Sequence, residues 1–169
     1  MQKIVPSLWF DKNCEEAINY YISVFNDAPN KTAESKILNM QRYEKGMEAP
    51  GTEEMLGKVI TAIFELNGQR FMALDGGPIF KFNESISFYV ECADQAEVDH
   101  FWGKLSAVKE SEQCGWLKDK FGLSWQIVPK QLGELMGNSN PEASMRVMNA
   151  MLQMKKLVVA DLEKAAKGE

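Results

Sequence analysis

Ser85, Ser87 and Tyr89 alternate with Ile86, Phe88 and Val90, and Gln126 follows Ser124 with one tryptophan between them. Polar side chains at every second position fall on one face of a strand, where they can hydrogen-bond a small neutral or polar ligand in a concave pocket. The other reading is that they face water on an open sheet. Cys114 lies close in sequence to Lys118, and a thiolate beside an ammonium can be nucleophilic; a small apolar thiol packed in a strand is the alternative. Trp116, Trp9 and Phe71 are candidate aromatic walls, whereas alternation turns Trp125 to the side opposite Gln126.

Metal chemistry is constrained by composition. The chain of 169 residues holds one histidine and three cysteines. One imidazole excludes HExxH and histidine-rich centres. Cys14, Cys92 and Cys114 are widely spaced with no CxxC pair, so neither a zinc knuckle nor a disulfide framework is expected. His100 sits beside the apolar stripe Val98, Phe101, Trp102 and Leu105, as a solvent-facing helix residue or as a base that a partner subunit would cover. A net charge of −5 argues against nucleic-acid binding, which needs clustered Lys and Arg. No apolar run approaches the roughly 18 to 20 residues of a membrane helix, and the first residues lack a signal-peptide core. A cytoplasmic protein with reduced thiols is expected.

The elements that must position these residues follow from periodicity and punctuation. Ile4 to Phe10 reads as a strand, and Asn13 with Glu16 as a capping box opening a helix with Cys14, Ala17, Ile18, Tyr21 and Phe25 on its apolar face. A strand over Ser35 to Arg42 and an acidic loop over Glu44 to Gly57 follow. Asn67-Gly68 joins two apolar runs as a type I′ hairpin, which sets Leu66 opposite Gln69, Glu65 opposite Arg70 and Ile63 opposite Met72. Asp75-Gly76-Gly77-Pro78 ends that hairpin. It precedes no capped helix, so it reads as a hairpin exit rather than a cofactor loop.

The pattern then restarts. Ser85 to Val90 is a strand, Asp94 and Glu97 a second capping box, and Gln113 to Lys118 with Leu123 to Val128 a second hairpin around Asp119 to Gly122. An α+β fold of tandem βαβββ modules is the reading, with one module over about 1–78 and a second over about 83–129. Helices over about 130–168 form an extension of a single 1–169 domain. Asn140-Pro141-Glu142 starts one of them, with Met145, Met148, Met151 and Leu152 as a face suited to a module or subunit contact.

The runs LWFDKNCEEAINYYISVF, LDGGPIFKFNESISFYV and QCGWLKDKFGLSWQIVP resemble the vicinal oxygen chelate superfamily of glyoxalase I, extradiol dioxygenases and bleomycin-resistance proteins. Within it they are similar to the PhnB-like branch, which carries the name 3-demethylubiquinone-9 3-methyltransferase. The resemblance implies a cupped mixed sheet and a homodimer. It also implies four metal-ligand positions, which fall on Pro6, Met72, Ser85 or Ser87, and Gln126, the last replacing the usual glutamate. Proline offers no ligating side chain, a thioether is too soft for magnesium or manganese, and none of the four is anionic.

The expectation is therefore no metal and no cofactor, with a small-molecule ligand held by Ser85, Ser87, Tyr89, Cys114, Trp116 and Gln126. The rivals are an enzyme working without metal, with Cys114 or Tyr89 in proton transfer, a methyltransferase or metal-dependent lyase or oxygenase as family names suggest, and a dimeric sequestering protein.

Overall fold

The computed structural model describes residues 4–47, 53–137 and 139–169. The chain divides into two compact units, Met1–Phe82 and Asn83–Glu169.

The first unit runs β1 (Ser7–Phe10), α1 (Cys14–Asn26), β2 (Lys36–Arg42), β3 (Val59–Leu66) and β4 (Gln69–Asp75), the expected βαβββ order. Its sheet is ordered β1-β4-β3-β2, with β1 parallel to β4 and the other pairs antiparallel. Asn67 and Gly68 take φ values of 47° and 86°, and the register pairs Leu66 with Gln69, Glu65 with Arg70 and Ile63 with Met72, as the two-residue turn requires. Val59, Ala62, Phe64 and Leu66 are buried, as are Ala17, Ile18, Tyr21 and Phe25 on the apolar face of α1. The expected acidic loop partly falls at 48–52, outside the described residues.

The capping box at Asn13 is not formed. Asn13 has φ −124° and ψ 23° and its side chain makes no cap bond. The backbone N–H of Cys14 donates instead to Asp75 Oδ1 at 2.8 Å, and that of Val59 to Asp75 Oδ2 at 3.0 Å. One buried carboxylate at the end of β4 thus serves the start of both α1 and β3.

The second unit runs β5 (Ser87–Cys92), α2 (Gln95–Leu105), β6 (Trp116–Lys118) and β7 (Ser124–Pro129), followed by α3 (Lys130–Met136), α4 (Pro141–Leu152) and α5 (Val159–Lys167). Its sheet has three strands, β5-β7-β6, with β5 parallel and β6 antiparallel to the central β7. The mixed α+β class is as read from the sequence, but this repeat of the module has one strand fewer than the first among the described residues. The strand expected from Gln113 begins only at Trp116. Cys114 and Gly115 take φ values of 49° and 86° and form a tight turn between Gln113 and Trp116, held by N–H donation from Cys114 to Met154 O and from Gly115 to Lys155 O, each at 2.8 Å.

The second capping box is present: Asp94 Oδ1 accepts from Glu97 N, and Glu97 Oε2 accepts from Ala93 N. Asn140 accepts from Glu142 N and Ala143 N at the start of α4. Within the chain α4 packs by a stripe other than the face of Met145, Met148 and Leu152. Ala143 and Val147 are buried, and Met151 packs with Val147 against Val128, Leu132, Leu157 and Leu162. Met145, Met148 and Leu152 are exposed, because the C-terminal helices fold back on one another and take the Val147 stripe as their contact.

Candidate functional site

The polar face expected from alternation forms on the second sheet. Trp125 and Leu117, paired across β6 and β7, are buried, and the Trp125 ring meets Phe88 edge-on at 5.5 Å. Trp125 Nε1 donates to the buried Asp119 at 2.8 Å, which fixes the indole on that side. Alternation then places Ser124 and Gln126 on the other face. The register lays two rows across it. Tyr89, Gln126 and Trp116 form one, and Ser87, Ser124 and Lys118 the other.

The rows are linked by a hydrogen bond from Gln126 Nε2 to Ser87 Oγ at 2.8 Å. With the amide nitrogen so engaged, Gln126 Oε1 is oriented as an acceptor in the middle of the face. Tyr89 is exposed, and its phenol is pushed above its usual range first by partial burial, then by the nearby Glu91 and Cys92. It is therefore a neutral hydroxyl at physiological pH, able to donate but poorly suited as a base. Lys118 pairs with Glu84.

Two expected members of the site stand apart. Ser85 precedes β5 on an exposed segment, where its N–H and Oγ both meet Asn83 Oδ1. Cys114 lies in the turn before β6, with its Sγ accepting from Gln113 Nε2 at 3.4 Å, rather than on a strand next to Lys118. The residues brought together are Ser87, Tyr89, Trp116 and Gln126. Ser124 and Lys118 complete the second row, and of the two only Lys118 is absent from the polar residues expected on this face. The alternation SWQ placed Ser124 on this face, but the partner of Lys118 depends on the register between β6 and β7. His100 lies on α2, half-buried and edge-on to Phe101.

The four positions that the resemblance assigns to metal ligands fall two in each unit. In the first, Pro6 contributes only its carbonyl, which accepts from Met72 N at 2.8 Å, and Met72 presents a thioether. In the second, Ser87 and Gln126 are uncharged and bonded to each other. Among the described residues there is no group of three or more His, Cys, Asp or Glu that could hold an ion. The donors at these positions do not fit a divalent cation.

The glycine pair Gly76-Gly77 has a packing role. Gly76 lies against the Trp9 indole, and Gly77 O accepts from Trp9 Nε1 at 2.9 Å. A separate cleft of about 330 Å³ opens in the first unit near the start of α1, lined by Lys12, Glu15, Arg42, Lys58 and Asp75 among others. Most of its charges are already matched: Arg42 binds Glu15, Lys12 binds Glu54, and Asp75 takes the two backbone amides.

Residues 2–128 match the sequence profile of the family described as 3-demethylubiquinone-9 3-methyltransferase. Among solved structures, a PhnB protein from Bacillus cereus bearing the same methyltransferase description is 36% identical, over 76% of this chain and 99% of that one, with a TM-score of 0.60. A protein from Pseudomonas aeruginosa is 19% identical over 76% of this chain and 98% of that one, with a TM-score of 0.57, and shares the fold. No curated protein matches the chain.

Proposed function

Because the chain belongs to the 3-demethylubiquinone-9 3-methyltransferase family of PhnB-like proteins, we propose that it binds a small molecule on the polar face of its second sheet, without a resident metal, as a homodimer. The observation that carries this reading is the Gln126–Ser87 hydrogen bond, which holds an uncharged acceptor between Tyr89 and Trp116 where the superfamily resemblance would put a charged ligand. An oriented amide flanked by two aromatic residues suits recognition of a ligand hydroxyl or N–H. Methyl transfer, which the family description names, requires a methyl donor such as a sulfonium. The one glycine pair in the chain is occupied in seating Trp9, so binding without methyl transfer is the better-supported reading.

The test is mass spectrometry of small molecules released by denaturing untagged protein, with elemental analysis of the same sample. A compound retained through purification and lost from Gln126→Ala supports the reading. Stoichiometric metal, or the same compound retained by Gln126→Ala, overturns it. Saturable binding of S-adenosylmethionine in calorimetry would favour methyl transfer instead. Light scattering should give a mass twice the 19.1 kDa of one chain.

A further inference from the structure

One group on the Gln126 face is unsatisfied. Ser124 is 1% exposed, and its Oγ has no hydrogen-bond partner among the described residues. A hydroxyl withdrawn from water and left unpaired is a cost to the fold, and such groups mark places where something else supplies the partner. Its neighbours in register are Ser87 on one side and Lys118 on the other. The Ser87 hydroxyl already accepts from Gln126. The Lys118 side chain is only 23% exposed, while the carboxylate that neutralises it belongs to Glu84, which is 59% exposed and lies before β5.

An ammonium carried on a largely buried side chain, paired in register with a residue whose hydroxyl is buried and idle, offers the two donors that one carboxylate can accept from. Glu84 supplies a carboxylate to the ammonium and to its own backbone N–H, but not to the Ser124 hydroxyl. In the adjoining row, Trp116 and Tyr89 flank Gln126 and provide flat apolar surface.

Resting on the reading of this face as a ligand site, we propose that it takes a small carboxylic acid with a flat apolar body, whose carboxylate replaces Glu84 on Lys118 and accepts from Ser124 Oγ while the body lies against Trp116 and Tyr89. Glu84 is then an internal competitor, occupying the ammonium when the site is empty. One ammonium and one hydroxyl match a single negative charge, which favours a carboxylate over a phosphate dianion.

Benzoate and its neutral isostere benzamide are the probes, titrated into full-length protein and followed by amide chemical shifts at residues 87, 116, 118, 124 and 126. Benzoate should bind about tenfold more tightly than benzamide. Lys118→Met should abolish that preference, Ser124→Ala should reduce it, and Glu84→Gln should tighten benzoate binding several-fold by removing the competitor. Equal binding of the two probes, no binding of either at millimolar concentration, or benzoate affinity unchanged or weakened by Glu84→Gln would each overturn the proposal. None of these outcomes bears on whether a retained compound is lost from Gln126→Ala, so the wider ligand-site reading stands or falls separately. Glu84→Gln affects only an exposed residue, so its effect is readable even if Lys118→Met folds poorly.

Discussion

Asp75 accepts the backbone N–H of Cys14, 61 residues away in sequence, at 2.8 Å, and so caps a helix whose own preceding asparagine does not. Its other oxygen takes the N–H of Val59. Asp75 is 1% exposed, so neither amide would find water readily if the carboxylate were removed. Asp75→Ala should lower the stability of the first unit by about 2–4 kcal/mol in urea denaturation, the cost of two orphaned donors. Asp75→Asn, which keeps one acceptor oxygen, should cost less. Equal losses for the two variants would show that the acceptors are not what matters.

Gly76 gives a steric prediction. A β-carbon there would overlap the Trp9 indole, whose Nε1 is held by Gly77 O and whose ring meets Phe80 edge-on at 5.0 Å. Gly76→Ala should therefore cost about 1–3 kcal/mol and change the near-ultraviolet circular dichroism as Trp9 is displaced. Gly133, inside α3 with nothing within 4 Å of a β-carbon, is the contrast. Gly133→Ala should stabilise by about 0.4–1 kcal/mol. A destabilising Gly133→Ala, or a silent Gly76→Ala, would contradict these packing assignments.

The features legible in the sequence are those whose causes lie within a few residues. Asn67-Gly68 set the register of β3 and β4, Asp94 and Asn140 marked helix starts, and serine-tyrosine alternation marked the polar face of β5. Asp75 was not legible as a cap because its partner is supplied by chain folding rather than by neighbours. Cys114-Gly115 likewise reads as strand in the sequence, because its turn is held by the carbonyls of Met154 and Lys155, some forty residues on. The stripe by which α4 packs within the chain is not legible for a related reason, since which stripe of a helix is buried depends on what docks against it. The site was half legible. Ser87 and Gln126 could be placed on polar faces, but their contact depends on parallel pairing of β5 with β7, and the idle Ser124 hydroxyl on the packing around it.

The thiols divide by environment. Cys14 and Cys92 are fully buried, and burial, helped by nearby carboxylates, pushes each thiol up to about 12. Cys114 is half-exposed. A disulfide-exchange reagent at pH 8 should titrate one thiol per native chain and three after denaturation. Linkage fixes the direction of the alkaline effect. The unfolded thiol deprotonates near 9 and the folded one near 12, so above 9 the unfolded chain has lost protons that the folded chain keeps. The stability from these two thiols is complete below pH 9 and declines as the pH rises toward 12. Cys14→Ala and Cys92→Ala should flatten that decline in denaturation midpoints measured across the interval; an unchanged slope would deny the two thiols this role.

Gln126→Glu separates the chemistry of one position from that of the set. It supplies the negative charge usual at this place in the resembling superfamily, and Ser87 Oγ would then donate to the new carboxylate instead of accepting from the amide, a change costing roughly 1 kcal/mol or less. A single carboxylate does not make a metal site, because the other three assigned positions hold Pro6, Met72 and a serine, and tight binding of a hard cation needs several oxygen ligands. Elemental analysis of the untagged variant after dialysis should therefore find well under one manganese, zinc or nickel per chain. The same substitution should weaken benzoate more than benzamide, since it sets a second negative charge next to Ser124. Stoichiometric metal in Gln126→Glu would mean that further donors reach this face and would remove the argument from the donor set.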